Sequence, residues 1–496
     1  MDDPASDFLY EQLATELGHA IDRGSLRPGE RLPSVRRLAE DRAVSVATVL
    51  QAYLRLENAG MIEVRPKSGH FVRRRTESTA EPRAPRKASQ PARVSVSDGV
   101  LRLSQALRDP SVVPLGSAYL DADILPIVAL NRLLAQIARE ASTAGARYDV
   151  PPGLPTLRHQ LARRAVSWGV ALHEDELVTT VGATEAITLS LRAVARAGDT
   201  IAVESPCYFG LLQAVESLGM RAVEIPGSPR TGMDLDALDE ALRTGPIRAI
   251  VLSANVSNPL GAVMPDDAKE RLVRTAERHD LPIIEDDVYG DLVFDGTRPR
   301  PLRAFAKGGN VLTVGSVSKT LAPGYRIGWI VPGRYRERVE RLKFAHTLAT
   351  PTILQMAIAE YLDRGGYDRH LRTLRVKFAA QVQRFREEVA TYFPEGTRTS
   401  EPQGGFVLWV ELPGEVDALT LQAEALEDGI AIAPGPVFSA RERFTSCIRL
   451  SCGFPWSDRI ASAVQHLGEL AGRQIERVRP RSASQLASVA PRRQAG

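Results

Sequence analysis

A mostly parallel α/β sheet with a small α+β segment at its C-terminal end, preceded by a compact three-helix module and a hairpin, is the fold this sequence predicts. Three observations carry that expectation. Residues 1–75 hold three short apolar patterns at helical spacing and then one alternating stretch. Beyond Asp109, short apolar runs alternate with amphipathic helical stretches, as parallel α/β sheets require. Between the two lies a segment rich in Pro, Ser, Ala and Arg that has no apolar period. At 496 residues the chain exceeds one ordinary core, so more than one domain is expected.

In the front module, Phe8, Leu9, Leu13, Leu17 and Ile21 recur at helical spacing until "RGSLRPGERL" ends the pattern with Gly and Pro. "LPSVRRLAEDRA" restarts a helix with Ser34 as its N-cap and Leu38 and Ala39 turned inward. Ser45 caps a third helix, "VSVATVLQAYLRLENAG", whose buried face is expected to comprise Val49, Leu50, Tyr53, Leu54 and Leu56. "MIEVRPKSGHFVR" then alternates around "PKSG", a hairpin signal. Three short helices and a basic hairpin make a winged helix-turn-helix, which presents the first turns of its third helix to base edges in the major groove. Val46, Ala47, Thr48 and Gln51 occupy those turns. Gln pairs with adenine, Thr meets a thymine methyl or a phosphate, and Arg36 suits a phosphate clamp. Ser34 and Ser45 at the caps and Lys67, Gly69 and His70 in the hairpin complete the candidate DNA-facing set. From "LPSVRRLAEDRAVSVATVLQAYLRLENAGMI" to "SGHFV" the module resembles the GntR-type winged helix, over about residues 8–73. Many members of that family carry a basic residue where Val46 stands, so base preference is expected to differ there.

From Arg65 to Arg93 there are nine Lys or Arg against two acids, and residues 76–109 read as a basic flexible linker. Its charge serves either solubility or phosphate tracking. "RVRPRSASQLASVAPRRQAG" has the same character, so residues 473–496 read as a disordered tail. The acidic start "MDDPASDFLY" lacks the basic-then-apolar order of a signal peptide, and no apolar run reaches the ~18 residues that cross a bilayer. A cytoplasmic location without a membrane partner is expected. Cys207, Cys447 and Cys452 are scattered and the histidines lack metal-ligand spacing, so no metal site is expected. The net charge of +3 is too small to imply nucleic-acid binding by itself.

The large domain is expected over residues 110–472. Its strands are "LVTTVGA", "TIAVESP", "RAVEIP", "RAIVLSA", "LPIIEDD", "NVLTVGSVSK" and "RIGWIVP", with polar clusters just after them, where such sheets place ligands. "GGFVLWVEL" and "GIAIAPG…SCIRLSCGF" supply the smaller α+β segment. Each cluster has an ordinary reading when taken singly. "GATEA" is a helix start, "SNPLG" a turn, "EDDVYGDL" a solvated loop and the lysine of "SVSK" a surface charge. Their order and spacing together resemble the fold-type I aminotransferases, the pyridoxal 5′-phosphate (PLP) family.

That resemblance implies a role for each matching residue. Lys319 matches the Schiff-base lysine, the one catalytic residue expected, whose amine must be neutral to attack an aldehyde. Asp286 and Tyr289 match the pair at the pyridine nitrogen and the phenolic oxygen, and Asn258 matches a second partner of that oxygen. Ser316, Ser318 and Arg326 match the phosphate cradle, completed by the amides around Gly182, Ala183 and Thr184. Tyr208 matches the aromatic that stacks on the ring, and Tyr148 is matched to a phosphate contact from a neighbouring subunit. Arg449 matches the arginine that forks onto a substrate or effector α-carboxylate. "NPLG" departs from the commoner "NPTG" at Leu260.

A GntR-type winged helix joined to an aminotransferase-like domain resembles the MocR-type transcriptional regulators. The resemblance implies a regulator that binds double-stranded operator DNA as a head-to-tail homodimer. Its large domain would read PLP, an amino acid or amine, or the covalent adduct between them. The alternative is a working PLP-dependent aminotransferase with a secondary DNA-binding domain, since Lys319, Asp286, Tyr289 and Arg449 are all retained.

Overall fold

The computed structural model describes residues 9–58, 61–65, 68–73, 79–85, 87–141 and 143–478. Helices α1 (Leu9–Asp22), α2 (Val35–Asp41) and α3 (Val46–Asn58) precede the antiparallel hairpin of β1 (Ile62–Arg65) and β2 (Gly69–Val72). Leu13, Leu17, Leu38, Val49, Tyr53, Leu56, Ile62 and Val72 form its buried cluster. Ser34 Oγ accepts the N–H of Arg37 and Ser45 Oγ that of Thr48, so each hydroxyl satisfies an amide that a helix start leaves without a partner. Leu50 and Leu54, expected inside, are 43% and 52% exposed. At about 3.6 residues per turn, the buried stripe runs through Val49, Ala52, Tyr53 and Leu56 and leaves those two leucines on its flank.

The large domain carries β3 (Ala92–Arg93), β4 (Val178–Val181), β5 (Thr200–Ser205), β6 (Arg221–Ser228), β7 (Gly232–Met233), β8 (Ala249–Leu252), β9 (Ile283–Asp286), β10 (Val311–Ser316) and β11 (Ile327–Val331). They form one sheet in the order β3-β6-β5-β8-β9-β10-β11-β4, with β7 on β6. The pairs from β6 to β10 are parallel, and β11 is antiparallel to both of its neighbours. Ile250, Val251, Ile283, Ile284, Val311 and Leu312 are wholly buried. Strands covered by helices on both faces read as continuous apolar runs, which is why the seven long strands were legible. A second, antiparallel sheet joins β12 (Arg398–Thr399), β13 (Val407–Glu411), β14 (Ala433–Pro434) and β15 (Cys447–Ser451). This is the smaller α+β segment.

Two expected boundaries are corrected. Much of the segment read as a flexible linker is built into the large domain. Ala92–Arg93 is an edge strand on β6, and Ser89 exchanges hydrogen bonds with Glu224. Helix Ser97–Ala106 buries Val100 and Leu103 among Leu260, Trp409 and Phe438. The Glu216 carboxylate accepts from Val96 N, Ser97 N and the Ser97 hydroxyl. At the other end, helix Asp458–Val478 runs past residue 472 with Gln474 and Ile475 buried, so the expected tail begins inside a packed helix. The expected tail beyond residue 478 and the stretch 74–78 lie outside the described residues.

The front module touches the large domain along the long helix Gly366–Tyr392. Arg73 Nε lies 2.9 Å from Glu387 Oε2, with both side chains largely buried. Across a cavity of about 860 Å³, Gln51, Leu54 and Arg55 face Arg372, Arg375 and Val376. No helix among the described residues is long and apolar enough to cross a membrane.

Candidate functional site

Five strands deliver the site. β4, β5, β8, β9 and β10 end at or just before Gly182, Tyr208, Asn258, Asp286 and Ser316, so the matched residues collect at the carboxyl edge of the sheet. A cavity of about 300 Å³ there is lined by Lys319, Asp286, Tyr289, Asn258, Ser316, Ser318, Arg326, Tyr208, Ala183 and Thr184. Ten of the residues singled out from the sequence thus share one wall. Gly182 lies directly behind Arg326: with φ +76°, a β-carbon added there would sit 2.2 Å from the guanidinium. Only glycine lets the arginine approach the helix start so closely.

The phosphate end is made of donors. Helix Gly182–Val194 begins at the cavity, and the amides of its first turn have no partner within the helix. Ser316 and Ser318 hydroxyls stand 2.8 Å apart, and Arg326 Nη1 lies 3.4 Å from Ser318 Oγ. Arg326 holds a left-handed backbone at φ +54°, a conformation an arginine adopts only when its surroundings fix it.

At the ring end, Asp286 closes β9 and accepts the Val288 N–H at 3.3 Å. Burial pushes its carboxyl up to about 6, against the pull of that N–H and of Lys319. The Tyr208 hydroxyl is raised to about 12 and that of Tyr289 is also raised, both mainly by burial, so both stay protonated donors. The Tyr289 hydroxyl is buried without a hydrogen-bond partner. This orphan donor, a carboxylate and an anion cradle fit the phenolic oxygen, ring nitrogen and phosphate of PLP. Lys319 Nζ donates to the carbonyl of Ala118 at 2.7 Å. Burial and the nearby Arg449 and Arg326, opposed by Asp286, bring its amine down to about 8. Next to it, Thr320 is held by the Tyr367 hydroxyl at 2.9 Å and by His370 Nε2, which donates to its carbonyl at 2.7 Å.

Arg449 behaves differently from its expectation as an open fork. It is fully buried on β15, donating to Asn258 Oδ1 at 3.2 Å and to the Gly116 carbonyl at 2.7 Å, with Phe209 and Phe438 on its faces. Burial lowers it to about 10, which keeps it charged at neutral pH, and its Nε has no partner. Tyr148 does not reach the cavity of its own chain and is 78% exposed. Among the DNA-facing candidates, Arg36 and Val46 are exposed, Thr48 Oγ1 bonds Ser45 Oγ, and the His70 ring packs edge-on against Tyr53. Gly69 opens β2 at φ +105°, and Lys67 lies outside the described residues. Sequence reasoning missed residues 116–119, which contribute two acceptor carbonyls and the Tyr119 wall. The only signal was a run of small residues before an aromatic, in "GSAY".

With this geometry the comparisons fall into place. Residues 112–467 match the model of aminotransferase class I and II, and residues 9–72 match the gntR family of bacterial regulatory proteins. The chain belongs to the class I and II aminotransferase family. Its gntR-family front module makes it of the MocR type. Two relatives match end to end: the uncharacterized HTH-type transcriptional regulators YjiR and YdcR of Escherichia coli (strain K12). The first is 37% identical over 94% of this chain and 99% of its own, the second 38% identical over 93% and 98%. Among solved structures, LysN, the alpha-aminoadipate aminotransferase of Thermus thermophilus complexed with N-(5'-phosphopyridoxyl)-L-leucine, superposes with a TM-score of 0.71. It is 26% identical and covers 78% of this chain and all of its own. The GntR-type module of this MocR-type chain is a DNA-binding fold, and its large domain is a fold-type I aminotransferase domain.

Proposed function

We propose that this chain is a PLP-dependent transcriptional regulator that binds operator DNA as a head-to-tail homodimer and senses an amino acid or amine in its aminotransferase-like domain. The observation that carries the reading is the complete donor set around Lys319 on the same chain as a gntR-family module. PLP, when bound, supplies an aldehyde that takes up amines and an electron-withdrawing ring. Ser316, Ser318, Arg326 and the helix start would hold its phosphate, Asp286 would serve the ring nitrogen, and Tyr289 and Asn258 would donate to the phenolic oxygen. Lys319 would hold the cofactor through its amine, which an effector amine would have to displace, and Arg449 would take an effector carboxylate. Tyr148, exposed on its own chain, would be free to reach a phosphate held by the partner chain.

Helix Gly366–Tyr392 supports the link between site and DNA. Tyr367 and His370 hold Thr320 beside Lys319, and Glu387 pairs with Arg73 of the front module. The DNA half is tested by footprinting the intergenic region next to the gene and then substituting Gln51. If Gln51 reads a base, Gln51→Ala costs about 1–3 kcal/mol on the protected site and nothing on random duplex. Equal losses on both remove it as a reader.

A second reading, a working aminotransferase, is favoured by one observation: an amine held near 8 beside a carboxylate suits turnover as well as sensing. Steady-state assays with panels of amino acids and keto acids separate the two. The regulator reading expects DNA binding that responds to effector at concentrations where turnover is negligible.

A further inference from the structure

Glu185 presents a problem for any phosphate at the start of helix Gly182–Val194. It lies three residues along from Gly182, only about 4.5 Å of axial rise from the helix start and less from the Ala183 and Thr184 amides that would hold a dianion. An isolated carboxylate there opposes the charge the helix start attracts. The side chain is nevertheless buried and placed with care. Its Oε2 accepts the Val181 N–H at 2.6 Å, so it reaches back and satisfies the backbone at the strand-to-helix turn. The same oxygen accepts from Lys343 Nζ at 2.8 Å, and its Oε1 accepts the Thr347 hydroxyl. Lys343 is 1% exposed, and its remaining contact is the Thr347 hydroxyl at 2.8 Å. It comes from helix Arg336–His346, far away in sequence, and takes no part in the cavity wall.

We propose that Lys343 is a positioning residue for the phosphate cradle. It neutralises Glu185 from behind, which lets the carboxylate tie the Val181 N–H while the Ala183 and Thr184 amides stay available to a phosphate dianion. A buried ion pair adds little net stability as a rule, so a merely structural pair would leave ligand preference alone. This pair stands at the start of the helix whose Ala183 and Thr184 line the cavity. The inference rests on the reading of the cavity as a PLP site.

The test compares PLP with pyridoxal, which lacks the phosphate, on full-length apo-protein. Dissociation constants are measured spectroscopically for wild type, Lys343→Met, Glu185→Gln and the double variant, with thermal denaturation of each. The expected result is a wild type that strongly prefers PLP. Lys343→Met loses about tenfold or more in PLP affinity and little in pyridoxal affinity, because it leaves a bare carboxylate behind the phosphate. The double variant regains most of the preference, and Glu185→Gln keeps it at or above the wild-type level. Parallel losses of PLP and pyridoxal in Lys343→Met, or a double variant as impaired as that single one, overturn the proposal. Should Lys343→Met fail to fold, Glu185→Gln decides: a fall in its preference for PLP contradicts the assignment. A wild type that binds neither compound overturns the cofactor reading itself and the inference with it.

Discussion

At the phosphate end of the cavity, the Ala183 and Thr184 amides, the Ser318 hydroxyl and Arg326 face the cavity as a standing anion site. Elsewhere, Lys319 in the cavity lining and Arg449, fully buried and bonded to the lining residue Asn258, each donate to a carbonyl of the chain's own residues 116–118. In the first region Arg326 reaches the Pro323 and Val181 carbonyls only at 3.3 and 3.5 Å, so little has to move to receive a phosphate. In the second, Lys319 must leave the Ala118 carbonyl to reach an aldehyde, and Arg449 must leave the Gly116 carbonyl to take a carboxylate. The contrast teaches that anchoring a phosphate and exchanging a covalent or carboxylate partner are separate problems in this fold. Preorganisation serves the former, and exchange of one hydrogen-bond partner for another serves the latter.

Perturbing each end separately sharpens the contrast. The largest effect is expected from Arg326→Ala, which removes a charged phosphate partner and costs about 2–3 kcal/mol, roughly 30- to 150-fold in PLP affinity by equilibrium titration. Arg449→Lys is expected to leave PLP affinity unchanged and to weaken the response to α-amino acids by about tenfold, because one ammonium cannot reproduce a two-pronged fork. If both variants lose PLP equally, the two ends are not independent.

The smallest effect concerns pH. Only the neutral amine captures an aldehyde, and Lys319 is held near 8, below the usual lysine value of 10.5. Raising the pH deprotonates it, so covalent uptake of PLP by apo-protein should quicken by about fivefold between pH 7 and 8, by roughly a further twofold to pH 9, and then level off. An ordinary lysine would still be accelerating at pH 9, and stopped-flow absorbance distinguishes the two profiles.

How much of this was legible in the sequence depended on what kind of group carried the information. Asp286 and Tyr289 were legible through the family resemblance alone, since the stretch by itself reads as a solvated loop; the fold shows why they work together, a strand end and turn bringing both to one cavity. Ser34 and Ser45 were legible as caps because their bonds are local. The edge strand Ala92–Arg93 was not: it is two residues long, lies in a Pro- and Arg-rich stretch, and pairs with Arg221 and Ala222 far along the chain. The carbonyls of Gly116 and Ala118 left no trace either, since a backbone acceptor has no side-chain signature. Arg449 was recognisable by its match to the family's arginine, but its complete burial follows from Phe209 and Phe438, which only the fold brings to its faces. Lys343 escaped notice because its partner, Glu185, belongs to a distant helix.

The central claim is that replacement of Lys319 on the cofactor by an effector amine is what reaches the DNA. Wild type and Lys319→Ala should therefore be run side by side in operator binding and in vitro transcription, with and without PLP and candidate amino acids. The account predicts a wild type that absorbs in the visible region, is fixed to its cofactor at Lys319 by borohydride and changes its transcriptional output with effector. It predicts a mutant that still binds operator and some PLP but gives the same output with or without effector. A colourless wild type that takes up no PLP, or a mutant that responds as wild type does, would contradict it.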